Sequence, residues 1–278
     1  MSSLLAFSVT AFALFGLLLG SFANVVIWRV PRGESVVTPP SHCPSCGERI
    51  RWYDNVPLVS WMLLGGRCRA CGEAIAGRYF LVEVASGVLF ALAVLAFGPT
   101  WKAAAAAVFF WFLLVLSVID IDHYRLPNAL VAVLAAVGAA GALVSQMSAV
   151  PLVPVLGPSG GTGLMFQPLA NALFGMVVGA GLSGGIAAAY GAVRRTRGLG
   201  MGDVKFLGAL GIFLGPYVLV ALFLGSVMAA IGGLAFNRGT RLADRRIPFG
   251  PFLAVSAAVT ALGGPRLMAW YLELIGVM

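Results

Sequence analysis

The 278-residue chain contains 10% charged residues and 60% apolar residues, and its formal net charge is +8. A soluble domain carries about 25% charged residues, so this composition excludes a water-soluble globular protein. The mean hydropathy of +0.97 predicts repeated membrane-spanning segments. Cytoplasmic membrane loops account for the excess of Lys and Arg in such a chain, and we expect no nucleic-acid partner.

The first apolar segment, 4–28, contains no charged residue. At about 1.5 Å per residue of helix, it is long enough to cross about 30 Å of hydrocarbon. Arg29 and Arg32 follow this segment instead of preceding it. Their position argues against a cleaved signal peptide and places the carboxyl end of the first span in the cytoplasm.

Seven further apolar segments follow, at 79–97, 101–121, 127–147, 168–191, 203–215, 217–236 and within 248–277. Segment 203–215 is short for a membrane span. Gly263, Gly264 and Pro265 interrupt the last segment, which allows either one broken span or a short span followed by an interfacial segment. The sequence therefore predicts an all-α polytopic membrane protein with about eight transmembrane helices.

The basic residues give the orientation of these spans. Fifteen of the 18 Lys and Arg residues fall in the loops after the first, third, fifth and seventh spans, and the opposite loops hold only Lys102 and Arg266. Because cytoplasmic loops collect Lys and Arg, we expect both termini outside the cytoplasm. The predicted domains are a first transmembrane helix at 1–28, a small cytoplasmic domain at 29–78 and a membrane domain at 79–278.

All four cysteines lie in the cytoplasmic segment, as two Cys-x-x-Cys pairs that are each followed by glycine: Cys43, Cys46, Cys68 and Cys71. Two such pairs, with 21 residues between them, are typical of a tetrahedral zinc site. The glycines allow a positive φ, with which backbone N–H groups can point at thiolate sulfur. Two disulfides are the alternative, which a reducing cytoplasmic loop disfavours.

The predicted zinc site is structural. A segment of about 50 residues is near the lower limit for a domain that folds without a metal or a cross-link. Four thiolates also close the coordination sphere and leave no position for catalysis. His42 offers a substitute ligand, but its place outside the pairs is more typical of a surface residue.

Three aspartates lie beside the predicted spans. Asp120 and Asp122 fall where the third span meets the cytoplasm, and Asp203 falls at the start of the sixth. The topology places both sites at the same cytoplasmic depth. Two carboxylates brought together there would share one proton, because like charges a few Å apart cannot both ionise cheaply. An aspartic protease uses such a pair, with one Asp as the base on a water and its protonated partner as the acid.

Other roles for the acidic residues stay open on the sequence alone. Juxtamembrane Asp residues are often helix caps or partners of Arg and Lys. The glycines before Asp203 permit close approach of an extended peptide, but they also suit a hinge or a tight helix entry. Glu83, inside the second span, is more typical of a buried hydrogen-bond partner. Lys205 either adjusts the acidity of the Asp203 carboxyl group or extends its amine to the membrane surface.

Together these motifs resemble the type IV prepilin peptidase family, the bifunctional leader peptidases and N-methyltransferases of bacterial type IV pili and type II secretion. The resemblance covers nearly the whole chain. It rests on segments 20–35, 39–46 and 78–83, the second Cys-x-x-Cys pair, Ile-Asp-Ile-Asp at 119–122 with Leu-Pro-Asn at 126–128, Gly-Met-Gly-Asp-Val-Lys at 200–205, and Pro-Phe-Gly-Pro-Phe at 248–252.

The resemblance implies a multi-pass aspartyl peptidase of the bacterial inner membrane, with its active site and zinc domain on the cytoplasmic side. It implies cleavage of a short basic leader from prepilins or pseudopilins, followed by methylation of the new α-amine with S-adenosylmethionine. Asp120, seven residues before the Pro of Leu-Pro, and Asp203 of Gly-x-Gly-Asp match the family's catalytic pair. Asp122 is then a neighbour whose assistance stays open. Asn128 stands where many members have Asp, and the four cysteines favour the bifunctional form.

Two other classes of function compete with this interpretation. A transporter or channel uses membrane carboxylates to relay ions, but it places them near mid-bilayer, whereas both Asp sites here lie at the edge. A membrane-anchored scaffold would use the zinc domain to bind a partner without chemistry.

No Gly-x-Gly-x-x-Gly pattern after a strand locates the S-adenosylmethionine site, which we expect in the zinc domain and at 32–35. Neither the individual prepilin nor the oligomeric state follows from the sequence.

Overall fold

The computed structural model describes residues 3–148, 168–194, 199–236 and 248–274. Most of the uncharged stretch 148–167 and the Arg-bearing segments 195–198 and 237–247 lie outside these residues. Over the described ranges the regular structure is helical, apart from two isolated antiparallel bridges, and most of the segment 33–76 is irregular. The α-helices are α1 Ser3–Arg29, α2 Val59–Leu63, α3 Gly77–Phe97, α4 Trp101–His123, α5 Asn128–Ser148, α6 Pro168–Arg194, α7 Met201–Leu214, α8 Val218–Phe236 and α9 Gly250–Leu274.

The all-α class and the positions of the predicted spans are confirmed. Apart from the five-residue α2, every α-helix in the described ranges coincides with a predicted span, and the ends agree to within three residues. Six stretches there are long and apolar enough to cross a membrane: Ser3–Arg32, Gly77–Phe97, Trp101–His123, Asn128–Met147, Pro168–Arg194 and Met201–Leu234. The sixth contains both α7 and α8, which a 3-10 turn at Gly215–Tyr217 separates.

The last apolar segment forms one continuous helix. α9 passes through Gly263, Gly264 and Pro265, so the interruption predicted at these residues is absent. A glycine inside a helix costs about 1 kcal/mol relative to alanine. Gly264 lies against Tyr217, where a Cβ would meet the tyrosine Cβ at 3.7 Å. Proline inside a helix costs more, about 3 kcal/mol relative to alanine, so α9 is continuous against the local preferences of all three residues.

The chain forms two compact units, Met1–Val115 and Leu116–Met278. The first contains α1, α2, α3 and the four cysteines, and the second contains α5 to α9. Helix α4 contributes residues to both units. The domain boundaries expected at residues 28 and 78 stay a prediction.

In the first unit, α1 and α3 approach each other closely at small residues. A Cβ added at Gly16 would lie 2.8 Å from Cβ of Phe90, and one added at Gly20 would lie 2.7 Å from Cα of Glu83. The Ser86 hydroxyl donates a hydrogen bond of 2.6 Å to the Gly16 carbonyl oxygen. Lipid tails are as apolar as leucine, so such contacts and interhelical hydrogen bonds hold membrane helices together.

In the second unit, α6 and α7 touch backbone to backbone. A Cβ added at Gly175 of α6 would overlap the carbonyl oxygen of Gly211 of α7, and the converse also holds. Gly179, one turn beyond Gly175, would meet the carbonyl group of Leu207 in the same way. This contact between small residues fixes α7, whose first turn carries Asp203.

Candidate functional site

Asp120 lies in the last turn of α4 and is almost completely buried, with 5% of its surface exposed. The helix ends at His123 because Tyr124 has a φ of 51°, in the left-handed region. The Tyr124 N–H donates a hydrogen bond of 2.8 Å to the Asp120 carbonyl oxygen. A buried carboxyl group needs its own hydrogen-bond or ionic partner.

The first residue of α9 supplies that partner. The Gly250 N–H donates a hydrogen bond of 2.9 Å to Oδ2 of Asp120. A Cβ added at Gly250 would lie 2.7 Å from the same oxygen. The segment Pro-Phe-Gly-Pro-Phe at 248–252 contributes to the family resemblance, but its sequence alone predicts no role for it. The available signal was a glycine between two prolines at the start of an apolar segment.

Asp203 is the third residue of α7 and is half-buried. Its Oδ2 accepts a hydrogen bond of 3.3 Å from the Gly200 N–H, and its own N–H donates to the Gly200 carbonyl oxygen at 3.1 Å. An acidic side chain that binds the N–H before its helix is part of a capping box. The helix-cap role that the sequence left open is therefore present in the structure.

The structure brings Asp120 and Asp203 together. Their carboxyl groups are close enough for electrostatic repulsion between them. Asp122 is exposed. It lies on another face of α4 than Asp120, because residues two positions apart in a helix are about 200° apart around its axis. The two aspartates that were expected to act together are thus neighbours, and Asp122 points elsewhere.

Two contacts join the start of α7 to the turn that follows Asp120. A Cβ added at Gly202 would lie 3.4 Å from Cβ of Leu126, a buried residue of that turn. The Lys205 amine donates a hydrogen bond of 3.0 Å to Oδ1 of Asn128, the first residue of α5. Lys205 is therefore paired with Asn128, a partner that the sequence did not suggest.

The four cysteines form a compact cluster in the first unit. Their sulfur atoms all lie within 4.8 Å of one another, and the Sγ atoms of Cys43 and Cys71 are 3.9 Å apart. A disulfide would need about 2.05 Å, whereas tetrahedral zinc with Zn–S bonds of about 2.3 Å places sulfur atoms about 3.8 Å apart. The donor set and its spacing therefore fit zinc.

Each Cys-x-x-Cys pair sits on the same kind of turn. The Gly47 and Gly72 N–H groups each donate a hydrogen bond of 2.9 Å to the carbonyl oxygen of the first cysteine of the pair, and their φ values are 73° and 72°. The positive φ expected for both glycines is confirmed. His42 is exposed, its Nδ1 lies 3.1 Å from the Pro40 carbonyl oxygen, and it is outside the sulfur cluster.

Two thiols of the cluster, those of Cys43 and Cys71, have pKa values displaced in opposite directions. The N–H groups of Cys46 and Ser45 hold the pKa of the Cys43 thiol below its usual range, at about 7. For Cys71 the Glu73 N–H lowers the pKa, but desolvation and hydrogen bonds with the three other thiols raise it to about 12. Four thiolates at this spacing need a bound cation to balance their charge.

Glu83 of α3 has a structural partner in the first unit. Its buried carboxyl group accepts a hydrogen bond of 2.8 Å from the Leu58 N–H. Leu58 has a φ of 60°, so this bond stabilises an uncommon backbone conformation directly before α2. The interpretation of Glu83 as a buried hydrogen-bond partner agrees with this geometry.

Comparison with known proteins assigns the chain to a family. The profile of the type IV leader peptidase family matches residues 107–234, and that of the bacterial peptidase A24 N-terminal domain matches residues 14–97. The prepilin leader peptidase/N-methyltransferase of Stutzerimonas stutzeri is 35% identical over 98% of this chain and 96% of its own length. This chain belongs to the type IV leader peptidase family.

Other relatives agree with this assignment. The prepilin leader peptidase/N-methyltransferase of Pseudomonas aeruginosa is 35% identical over 95% of this chain and 93% of its own length. The type 4 prepilin-like proteins leader peptide-processing enzyme of Escherichia coli O78:H11 is 35% identical over 88% of this chain and 90% of its own length. No solved structure matches the chain significantly. The family resemblance inferred from the motifs is confirmed.

The two profile matches contain different candidate residues. The four cysteines lie in the N-terminal match, and Asp120 and Asp203 lie in the leader peptidase match. Gly250, which binds Asp120, lies beyond both regions. Its contact with Asp120 is therefore apparent from the structure and not from the profiles.

Proposed function

We propose that this protein removes the basic leader of type IV prepilins or pseudopilins and then methylates the new N-terminal amine. The observation that carries the proposal is that the carboxyl groups of Asp120 and Asp203 lie within range of each other's charge in a member of the type IV leader peptidase family. The names of its relatives join leader cleavage with N-methyltransferase activity, which supports both parts.

Asp120 and Asp203 are the proposed catalytic pair. One carboxylate takes a proton from a water molecule, whose oxygen bonds to the scissile carbonyl carbon. The protonated partner donates to the carbonyl oxygen, and the C–N bond breaks as the leaving nitrogen takes up a proton. The hydrogen bonds from Gly250 and Gly200 hold the two carboxyl groups in place for this chemistry.

The membrane position of the pair suits a prepilin substrate. A basic leader stays in the cytoplasm by the positive-inside rule, and the apolar segment after it lies in the bilayer. The scissile bond would then lie at the cytoplasmic surface, and the distribution of Lys and Arg supports the same depth for the end of α4 and the start of α7. We propose the bacterial inner membrane as the location, with the cysteine-bearing segment in the cytoplasm.

We propose that Cys43, Cys46, Cys68 and Cys71 hold one structural zinc ion. The four sulfur atoms have the spacing of a tetrahedral site, and together they fill it. The segment around them contains little regular structure besides α2 and short 3-10 turns. Metal binding would therefore supply part of the free energy that folds it.

For the second reaction, the amine that cleavage exposes would take a methyl group from S-adenosylmethionine and lose a proton, while the C–S bond breaks and S-adenosylhomocysteine leaves. An amine is nucleophilic only in its uncharged form. The apolar N-terminus produced by cleavage stays beside the membrane surface. Both reactions would therefore take place on one substrate at one depth.

The proposal is tested with the full-length protein in proteoliposomes that contain a type IV prepilin. We expect the wild type to shorten the prepilin, and Asp120→Asn or Asp203→Asn to slow cleavage by about 10³-fold or more. Asp122→Asn is the matched control, because this exposed residue lies on another face of α4. Persistent cleavage in either variant of the pair would contradict the assignment.

A further inference from the structure

A cleft of about 300 Å³ lies beside the second half of α1 in the first unit. Its volume is at the lower end of the range of about 300–1,000 Å³ that is typical of small-molecule sites. One wall comes from α1, with Leu18, Phe22 and Val25, and the facing wall comes from the segment before Cys43, with Val37, Pro39 and Pro40. Ser21, Arg29, Ser41 and Asn55 add polar groups.

Arg29 is the only charged residue among those that line the cleft, and it is 93% buried, with 7% of its surface exposed. Its Nη1 donates a hydrogen bond of 3.0 Å to the Ser35 carbonyl oxygen, and its Nη2 lies 3.5 Å from the Pro40 carbonyl oxygen. Both partners are neutral. A guanidinium group has five N–H donors, so these contacts leave donors for a ligand.

In the part of the chain that the structure describes, no acidic side chain is paired with Arg29. The lining residues include no Asp or Glu, and within the described ranges no salt bridge is formed by Arg29. Burying a charge is costly unless it is paired. A buried guanidinium group with neutral partners at a cleft is therefore suited to an anionic ligand group, and its planar fork matches a carboxylate.

We infer that this cleft binds the methyl donor, with the Arg29 guanidinium group paired to the carboxylate of S-adenosylmethionine. The inference rests on the proposed methyltransferase activity. The apolar walls are suited to the adenosine part of the ligand, and Arg29 provides the charged contact at one end. Because α1 ends at Arg29, this places the methyl donor at the membrane surface, where a new prepilin N-terminus would lie.

Arg29 also has an architectural role, since its hydrogen bonds join α1 to the segment at 35–40. Loss of binding in a variant is therefore not sufficient to establish contact with the carboxylate. The decisive comparison uses two ligands that differ only in that group, S-adenosylmethionine and its decarboxylated form. A contact between Arg29 and the carboxylate affects only the first, whereas a change in the shape of the cleft affects both.

The experiment is calorimetric titration of the full-length, zinc-loaded protein in nanodiscs of zwitterionic lipid. We expect Arg29→Leu to weaken S-adenosylmethionine binding by about 10- to 100-fold, the range for a lost hydrogen bond to a charged group. Its affinity for the decarboxylated ligand should change less than about threefold. Arg266→Leu is the control, because Arg266 is an exposed arginine on α9 that does not line the cleft and lies outside the segments expected to bind the methyl donor.

A second variant, Ser41→Trp, fills the cleft without removing the charge and should weaken binding of both ligands. Zinc content and methyl transfer to a cleaved prepilin are measured on each preparation.

If the wild type methylates but Arg29→Leu binds both ligands as the wild type does, or loses both equally, the Arg29 contact is wrong and the proposed function stands. If the wild type neither binds the methyl donor nor methylates, the methyltransferase proposal fails together with the site. Displacement of the methyl donor by phosphatidylglycerol in an Arg29-dependent manner would assign the cleft to a lipid headgroup instead.

Discussion

The Gly250 N–H donates a hydrogen bond of 2.9 Å to Oδ2 of Asp120, although the two residues are 130 positions apart in the chain. The bond joins the first residue of α9 to the last turn of α4. It gives the buried carboxyl group a fixed orientation. The position of α9 therefore matters to the proposed peptidase even though α9 carries no proposed catalytic acid.

We expect Gly250→Ala to slow leader cleavage by about 100-fold, because a displacement near 1 Å in a catalytic group costs about that much. The added Cβ would lie 2.7 Å from Oδ2 of Asp120, closer than such atoms can pack. Gly263→Ala is the matched control in the same helix, since a Cβ at Gly263 would meet nothing within 4 Å. Cleavage rates measured on a prepilin in proteoliposomes distinguish the two, and equal rates would contradict the positioning role of Gly250.

Lys205 is expected to be a positioning residue for Asp203. Lys205→Met removes the 3.0 Å hydrogen bond to Asn128 and should slow cleavage by about three- to tenfold, equivalent to about 1 kcal/mol at this exposed site. Asn128→Asp places a carboxylate opposite the amine and should retain activity. A double-mutant cycle with Asn128→Leu and Lys205→Met checks the coupling, and additive effects would show that the bond does not act on the site.

The backbone contact between α6 and α7 should determine whether the second unit folds. Gly211→Leu adds a side chain where Cβ already overlaps the Gly175 carbonyl oxygen, and we expect a loss of about 3 kcal/mol or more. Gly181→Leu is the control on α6, because a Cβ there would meet nothing within 4 Å. Thermal unfolding in detergent measures the difference, and a Gly211→Leu protein as stable as the control would refute the close packing.

The cysteine cluster should be separable from the peptidase site. Cys46→Ser removes one of the four sulfur ligands and should reduce the zinc content from about one ion per chain to near zero. Because Asp120 and Asp203 both belong to the second compact unit, we expect leader cleavage to survive while methylation is lost. Elemental analysis and product analysis check both parts, with Ser45→Ala as the matched control. Full methylation without zinc would rule out a need for the metal.

The sequence predicts the helices and the cysteine cluster well because each has a local signature. Long uncharged segments with basic residues at alternate ends mark the spans. The Cys-x-x-Cys pairs and the glycines after them mark the cluster, where Gly47 and Gly72 have the expected positive φ. The juxtamembrane positions of Asp120 and Asp203 also follow from span boundaries, which explains why the two residues were expected at one depth.

Other features depend on contacts between distant segments, which composition and spacing do not encode. The bond from Gly250 to Asp120 and the contact of Gly175 with Gly211 are of this kind. The continuity of α9 through Pro265 also runs against the local preference of proline. Arg29 looks like an orientation signal in the sequence, and only its burial in a cleft without an acidic partner indicates a binding role.

The most direct test of the proposed function is the intact mass of a type IV prepilin produced together with either the wild type or Asp203→Asn. The wild type should yield a product that has lost its leader and gained the mass of one methylene group at the new N-terminus. Asp203→Asn should leave the prepilin at full length while keeping the zinc content of the wild type. Removal of the leader by Asp203→Asn, or an unprocessed prepilin with the folded wild type, would contradict the account.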